Sequence, residues 1–143
     1  MTPRIFMDSS VLFSAANSSK GHSRDLILMS ASGEITIVIS SFVLQETIRN
    51  LSGLNQPPLE YLNQIIQNAN IDVVDAAIQA VLDAAKLVVL KDAPIIAAAK
   101  TAKVNMLVTL DKKHILRRTD LETYINAPIV TPLIAYQKLR TAK

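Results

Sequence analysis

Four carboxylates stand where chemistry needs them: Asp8, Glu46, Asp92 and Asp111. Asp8 directly follows the apolar run Ile5, Phe6 and Met7, and Asp111 closely follows Met106, Leu107 and Val108. Both runs read as short buried strands, and parallel strands deliver such ends to the same sheet edge, where open α/β sheets bind ligands. Asp92 opens the alanine-rich stretch DAPIIAAAK, and one helical turn sets it on the face of Ile95, Ile96 and Ala99. An acid on a core-facing stripe costs free energy unless it is paired or holds a metal. Taken singly, each acid has a plainer reading. Asp8 reads equally as a helix N-cap, and Asp92 as a first-turn acid favoured by the helix dipole. Glu46 lies away from the stripe Leu44, Ile48 and Leu51, as a solvated glutamate does, and serves a site only if it points into a cleft.

Gathered together, four such acids repel one another unless a cation sits among them. Oxygen-only ligands suit Mg²⁺ or Mn²⁺, and such an ion can activate water for attack on phosphorus. With no cysteine and two isolated histidines, the chain offers no zinc ligand set. His22 and His114 read as surface or helix-terminal residues. The remaining acids, among them Asp25, Glu60, Asp83 and Asp120, read as solvated, while Asp72 and Asp75 read as a strand-edge and a cap residue.

The elements that must position these acids alternate along the chain. Strands are expected at residues 5–7, 36–39, 71–74, 106–108 and 129–130. Helices are expected after Asp8, capped by Ser9 or Ser10, and at 22–31, 42–51, 58–68, 76–87, 92–103 and 131–139. Asp75 is the expected cap of the 76–87 helix. Residues 111–116 read as a helix or turn, and 117–126 are polar with no clear period. This alternation predicts an α/β three-layer sandwich around a central parallel sheet of four to five strands.

Bulk properties agree. A chain of 143 residues, half of them hydrophobic, fits one domain spanning 1–143 with a real core. A net charge of +3 permits contact with nucleic acid without demanding it. The missing cysteines exclude disulfides, and no apolar run has the roughly 20 residues of a membrane helix. The N-terminus lacks the pattern of a signal peptide, so the expected location is the cytoplasm.

Four pieces in order, FMDSSVL, VLQETIRN, LKDAPIIAAAK and LVTLDKKHI, resemble the PIN-domain ribonucleases, above all the small VapC-like toxins of toxin–antitoxin pairs. The resemblance spans nearly the whole chain. It implies an endoribonuclease dependent on Mg²⁺ or Mn²⁺ that cuts single-stranded RNA. It implies Asp8, Asp92 and Asp111 as metal ligands, Glu46 as a fourth catalytic acid, and Ser10 and Thr109 as supporting hydroxyls. It also implies a homodimer silenced by a small antitoxin protein; the apolar content of residues 58–87 suits a dimer surface or, equally, core packing. Lys20, Lys91, Lys100, Lys112 and Lys113 are candidates to hold the RNA backbone. Two departures stand out. Ile115 replaces the phenylalanine of many relatives, and no further acid follows Asp111, where Lys112, Lys113 and His114 stand instead. That second departure motivates an alternative, a weakly active or non-catalytic module of the same fold that binds RNA or protein. Two other chemistries do not fit. Phospho-acceptor domains expect adjacent acids after the first strand, and haloacid-dehalogenase-like enzymes expect aspartate where Ser10 stands.

Overall fold

The computed structural model describes residues 2–142. Five strands form one parallel sheet: β1 (Arg4–Met7), β2 (Thr36–Ile39), β3 (Ile71–Val73), β4 (Met106–Val108) and β5 (Ile129–Val130), in the order β3-β2-β1-β4-β5. The central strands are apolar runs because both sheet faces are covered, and Ile5, Phe6, Met7, Ile37, Val38, Leu107 and Val108 are wholly buried. The helices that cover them are α1 (Ser9–Asn17), α2 (His22–Ala31), α3 (Ser41–Ser52), α4 (Leu59–Asn68), α5 (Ile78–Ala84), α6 (Ala93–Ala102), α7 (Thr119–Ile125) and α8 (Pro132–Thr141). The three-layer α/β sandwich and its parallel sheet are as the sequence predicts. Among the described residues, no helix is long and apolar enough to cross a membrane.

Strand order sets the site. The chain moves outward from β1 through β2 to β3, then crosses to the other side of β1 to lay down β4 and β5. The switch point therefore lies between β1 and β4, where a crevice opens at the strands' carboxyl ends. Register carries the two strands out together: Met7 pairs with Val108, so Asp8 and Thr109 leave the sheet side by side. The ladder continues one step further through the Asp8 N–H, which donates to Val108 O at 3.1 Å.

Several local expectations change. The N-cap of α1 is Asp8 itself, not Ser9 or Ser10: its extended backbone lets the carboxylate accept from the Ser9 N–H. Asp75 does not cap α5, which is shorter than expected and starts after Ala77. Instead Asp75 accepts from the Ser41 N–H and hydroxyl, both at 2.7 Å, because the parallel ends of β2 and β3 lie together. These two bonds hold the Asp75 carboxyl below the usual aspartate range and pin the start of α3. The buried stripe of α3 is Val43, Thr47 and Leu51, with Ile48 41% exposed, so the expected Leu44–Ile48 side is not the inner one.

The segment 117–126 has no visible period because α7 buries only Leu121 and Ile125, two residues one turn apart. Its start is fixed by Arg118, whose guanidinium meets the Asp120 carboxylate at 2.8 Å and donates to the Leu87 and His114 carbonyls. In the stretch read as dimer surface, Ile78 and Leu82 of α5 are exposed.

Candidate active site

α6 explains where Asp92 points. Its small side chains let it pack among α3, α5 and α7, with Ala93, Ile95, Ala97, Ala98 and Ala99 buried. A 3-10 turn (Leu90–Asp92) leads into it, and Pro94 occupies the first turn, where a missing N–H costs little. Asp92 stands at the N-cap position with helical backbone, and its side chain makes no capping bond. Asp92 is 5% exposed, and its Oδ2 has no hydrogen-bond partner. Asp92 thus holds the N-cap position, where the helix dipole favours an acid, without its side chain bonding the helix N–H groups.

Asp8 is equally buried but fully engaged. Its Oδ1 accepts from the Ser9 N–H at 2.6 Å, and its Oδ2 accepts from the Thr109 hydroxyl at 2.7 Å. The Ser10 hydroxyl adds a long contact of 3.4 Å to the same Oδ2 and accepts from the Leu110 N–H. Thr109 also accepts the Asp111 N–H at 3.0 Å, so one wholly buried hydroxyl ties the acid after β1 to the acid after β4. The expected Thr109 support is therefore given to the Asp8 carboxylate and the Asp111 backbone.

Glu46 is drawn in from α3. Its Oε1 accepts from the Ser9 hydroxyl, and Arg49 lies 3.8 Å from its Oε2. Asp111 organises the turn that follows it: Oδ1 accepts from the Lys113 and His114 N–H groups, both at 3.0 Å. That turn swings the His114 ring back over the acid, with Nδ1 3.5 Å from Asp111 Oδ2. One ligand atom from each of Asp92, Asp111 and His114 lies within 4.8 Å of the others. All four predicted acids, with Ser10 and His114, line one cleft of about 360 Å³. Thr109 sits beneath it. Asp8 belongs to the cleft but not to the tighter group of three.

The sequence reading set His114 aside as a surface or helix-terminal residue, and the structure brings its ring to the cleft. The signal was its spacing of three residues from Asp111, which suits a single turn, but a lone histidine among lysines gave no reason to prefer it. Of the five lysines considered, Lys91 and Lys113 line the cleft. Lys100 instead donates to the Tyr124 carbonyl at 2.8 Å and lies over the Tyr124 ring.

The electrostatics follow from burial. Burial pushes the Asp8 carboxyl up from its ordinary value, the Thr109 and Ser9 bonds pull it back, and Glu46 adds to the rise. Burial likewise raises Asp92. Lys91 opposes that rise, the charges of Asp111 and Asp8 add to it, and His114 opposes it more weakly. An arrangement of crowded, desolvated carboxylates with an open face can take a hard divalent cation. The unpartnered Asp92 oxygen and the oxygen-rich donor set fit Mg²⁺ or Mn²⁺.

Comparison with known proteins gives a family and a fold. The family model for the PIN domain matches residues 5–121. No curated protein matches the sequence. The crystal structure of PAE2754 from Pyrobaculum aerophilum is similar over 99% of both chains, with 17% identity and a TM-score of 0.68. VapBC2 from Rickettsia felis, bound to a DNA fragment from their promoter, covers 90% of this chain and 98% of its own, with 17% identity and a TM-score of 0.62. FitAB bound to the IR36 DNA fragment covers 90% of this chain and 94% of its own, with 16% identity and a TM-score of 0.55. At these identities the likeness is one of fold.

Proposed function

Because the chain belongs to the PIN domain family, we propose that it is a metal-dependent endoribonuclease that hydrolyses RNA phosphodiester bonds, acting as the toxin of a toxin–antitoxin pair. One observation carries the reading: a buried Asp92 carboxylate, with one oxygen unpartnered, stands beside Asp111 in a cleft that also receives Asp8 and Glu46. A buried anion left without a partner is costly, and a divalent cation answers that cost for several acids at once.

Asp92 and Asp111 would hold Mg²⁺ or Mn²⁺ directly. Asp8 would act mainly through the ion's waters, since both of its oxygens already accept hydrogen bonds. When bound, such an ion supplies charge neutralisation at the phosphate and a more acidic water. Glu46 Oε2, on the side away from Ser9, would accept the proton of the attacking water. Lys91 and Lys113 would contact the RNA backbone at the cleft rim. With aromatic residues only 4% of the chain, little base stacking is available, so recognition rests on backbone charge and RNA shape. The toxin reading carries two partners with it. One is a small antitoxin that masks the acidic cleft, and the other is a second copy of the chain joined through apolar surface such as that of α5.

The test is Asp8→Asn assayed on single-stranded RNA under controlled metal. Asparagine caps a helix as well as aspartate does, so the fold should persist while cleavage is lost. An unchanged rate would rule out the assignment. A second reading, a weakly active module of the same fold that binds RNA or protein, is favoured by one feature: both Asp8 oxygens are engaged without a metal. Thermal shift with Mn²⁺ separates the two, since no stabilisation at millimolar ion favours the binding module.

A further inference from the structure

The turn after Asp111 holds no further carboxylate, yet it returns another donor to the same place. The His114 Nδ1 faces Asp111 Oδ2 at 3.5 Å, and the ring is about a third exposed, toward the cleft it lines. Three separate bonds hold it there. Asp111 Oδ1 accepts the Lys113 and His114 N–H groups, and Arg118 donates to the His114 carbonyl while its other nitrogen holds the Leu87 carbonyl. A ring merely paired with Asp111 would leave the buried Asp92 Oδ2 without a partner. A cation within reach of both carboxylates and the imidazole satisfies all three groups.

Resting on the metal-dependent reading above, we propose that His114 supplies an imidazole nitrogen to the ion held by Asp92 and Asp111, giving this site a mixed nitrogen–oxygen donor set that prefers Mn²⁺ to Mg²⁺. The spacing suits it. The three ligand atoms lie within 4.8 Å of one another, and opposite ligands at bonds of about 2.1 Å stand about 4.2 Å apart, so small side-chain shifts close the site. The chemistry gives the preference. Mg²⁺ keeps to oxygen and to its waters, whereas Mn²⁺, a transition-metal ion, accepts an imidazole nitrogen beside carboxylate oxygens. His114 thus brings a nitrogen donor to a turn with no second carboxylate, and it changes which ion the site selects.

The experiment is a Mn²⁺ and Mg²⁺ titration of the full chain, with pulsed electron paramagnetic resonance on the Mn²⁺-loaded protein. The wild type should show nitrogen coupling from a directly bound imidazole. His114→Ala should lose that coupling and bind Mn²⁺ about tenfold more weakly or worse, as even the loss of a ligand's hydrogen-bond partner costs roughly 10–100-fold. Mg²⁺ affinity should fall less, so the preference narrows. His114→Gln, which keeps a polar side chain in the turn, should also lack the coupling, and circular dichroism checks that both variants fold. Wild-type protein that binds Mn²⁺ without nitrogen coupling, or His114→Ala that binds it equally well, overturns the inference and leaves the nuclease reading standing. Wild-type protein that binds neither ion overturns both.

Discussion

The cleft has two halves that are equally buried and differently treated. Asp8 and Asp92 are 4% and 5% exposed. Every oxygen of Asp8 meets a donor from Ser9, Ser10 or Thr109, whereas Asp92 Oδ2 meets none. Burial pushes both carboxyls up, but hydrogen bonds oppose the rise at Asp8, while at Asp92 the main opposition is the Lys91 charge at the rim. The lesson is a division of labour. The β1 half is a finished scaffold that fixes Asp8, the Asp111 backbone and, through Ser9, Glu46. The half made by α6 and the turn after β4 leaves the Asp92 Oδ2 without a hydrogen-bond partner. The proposed cation would meet its free lone pair at Asp92, while the donors around Asp8 fix the geometry of the neighbouring acids.

The largest expected break of this contrast is Asp92→Asn. It should lower RNA cleavage by about 10²–10³-fold or more, the scale of losing one electrostatic element of a catalytic site. It should also abolish the rise in Tm on adding Mn²⁺, while the metal-free protein becomes more stable. A variant that keeps the Mn²⁺ response would show that the open half is not the metal half.

Thr109→Val is the matching test of the finished half. It keeps the shape but removes the donor to Asp8 and the acceptor of the Asp111 N–H, both buried. Chemical denaturation should show a loss of about 1–3 kcal/mol. Ser10→Ala should cost less, because its contact with Asp8 is long. Equal losses would mean that Thr109 is not the tie between the two strands.

The two halves should respond to pH in the same direction, and the contrast in sign lies with Asp75 outside the cleft. A carboxyl whose folded pKa is raised contributes stability that is complete below its unfolded value and lost as pH rises through the folded one. Metal-free protein should therefore lose stability as pH climbs from about 3.9 through the raised values of Asp8 and Asp92. The gap in Tm between wild type and Asp92→Asn should widen over that climb and close at its acid end. Asp75 has the opposite sign: its stabilising bonds to Ser41 are present above the ordinary aspartate value and lost as pH falls through its lowered one. Asp75→Asn should thus converge with wild type only at strongly acid pH.

Arg118→Ala should have the smallest effect. It removes the pair with Asp120 and the guanidinium bonds to the Leu87 and His114 carbonyls, all at a position where solvent screens them. Its more telling readout is a weaker Mn²⁺ response from a looser turn. An unaltered response would place the stiffness of that turn in Asp111 alone.

Much of the architecture was legible because buried parallel strands must be apolar on both faces, and Ile5–Phe6–Met7 or Thr36–Ile39 can be little else. What stayed hidden depended on partners far along the chain. The seat of Asp75 on Ser41 spans 34 residues and needs β2 and β3 to be neighbours. The inner stripe of α3 could not be chosen from its wheel, since Ile48 is as apolar as Val43 yet faces out. The short α7 has too few turns to show a period.

For the site the line falls in the same place. Residue type and order alone determined that Asp8 and Asp111 follow strands, that Asp92 opens a helix, and that the cleft's acids are carboxylates in that order, because these are local facts of strand and helix formation. Only the tertiary structure decided which acids are satisfied and which are not. The crossover placing β4 against β1 lets Thr109 serve Asp8, and the turn after Asp111 brings His114 to Asp92. Hydrogen bonds and charge act across a few ångströms of space, and the chain's own order does not record which of its distant parts will be that close.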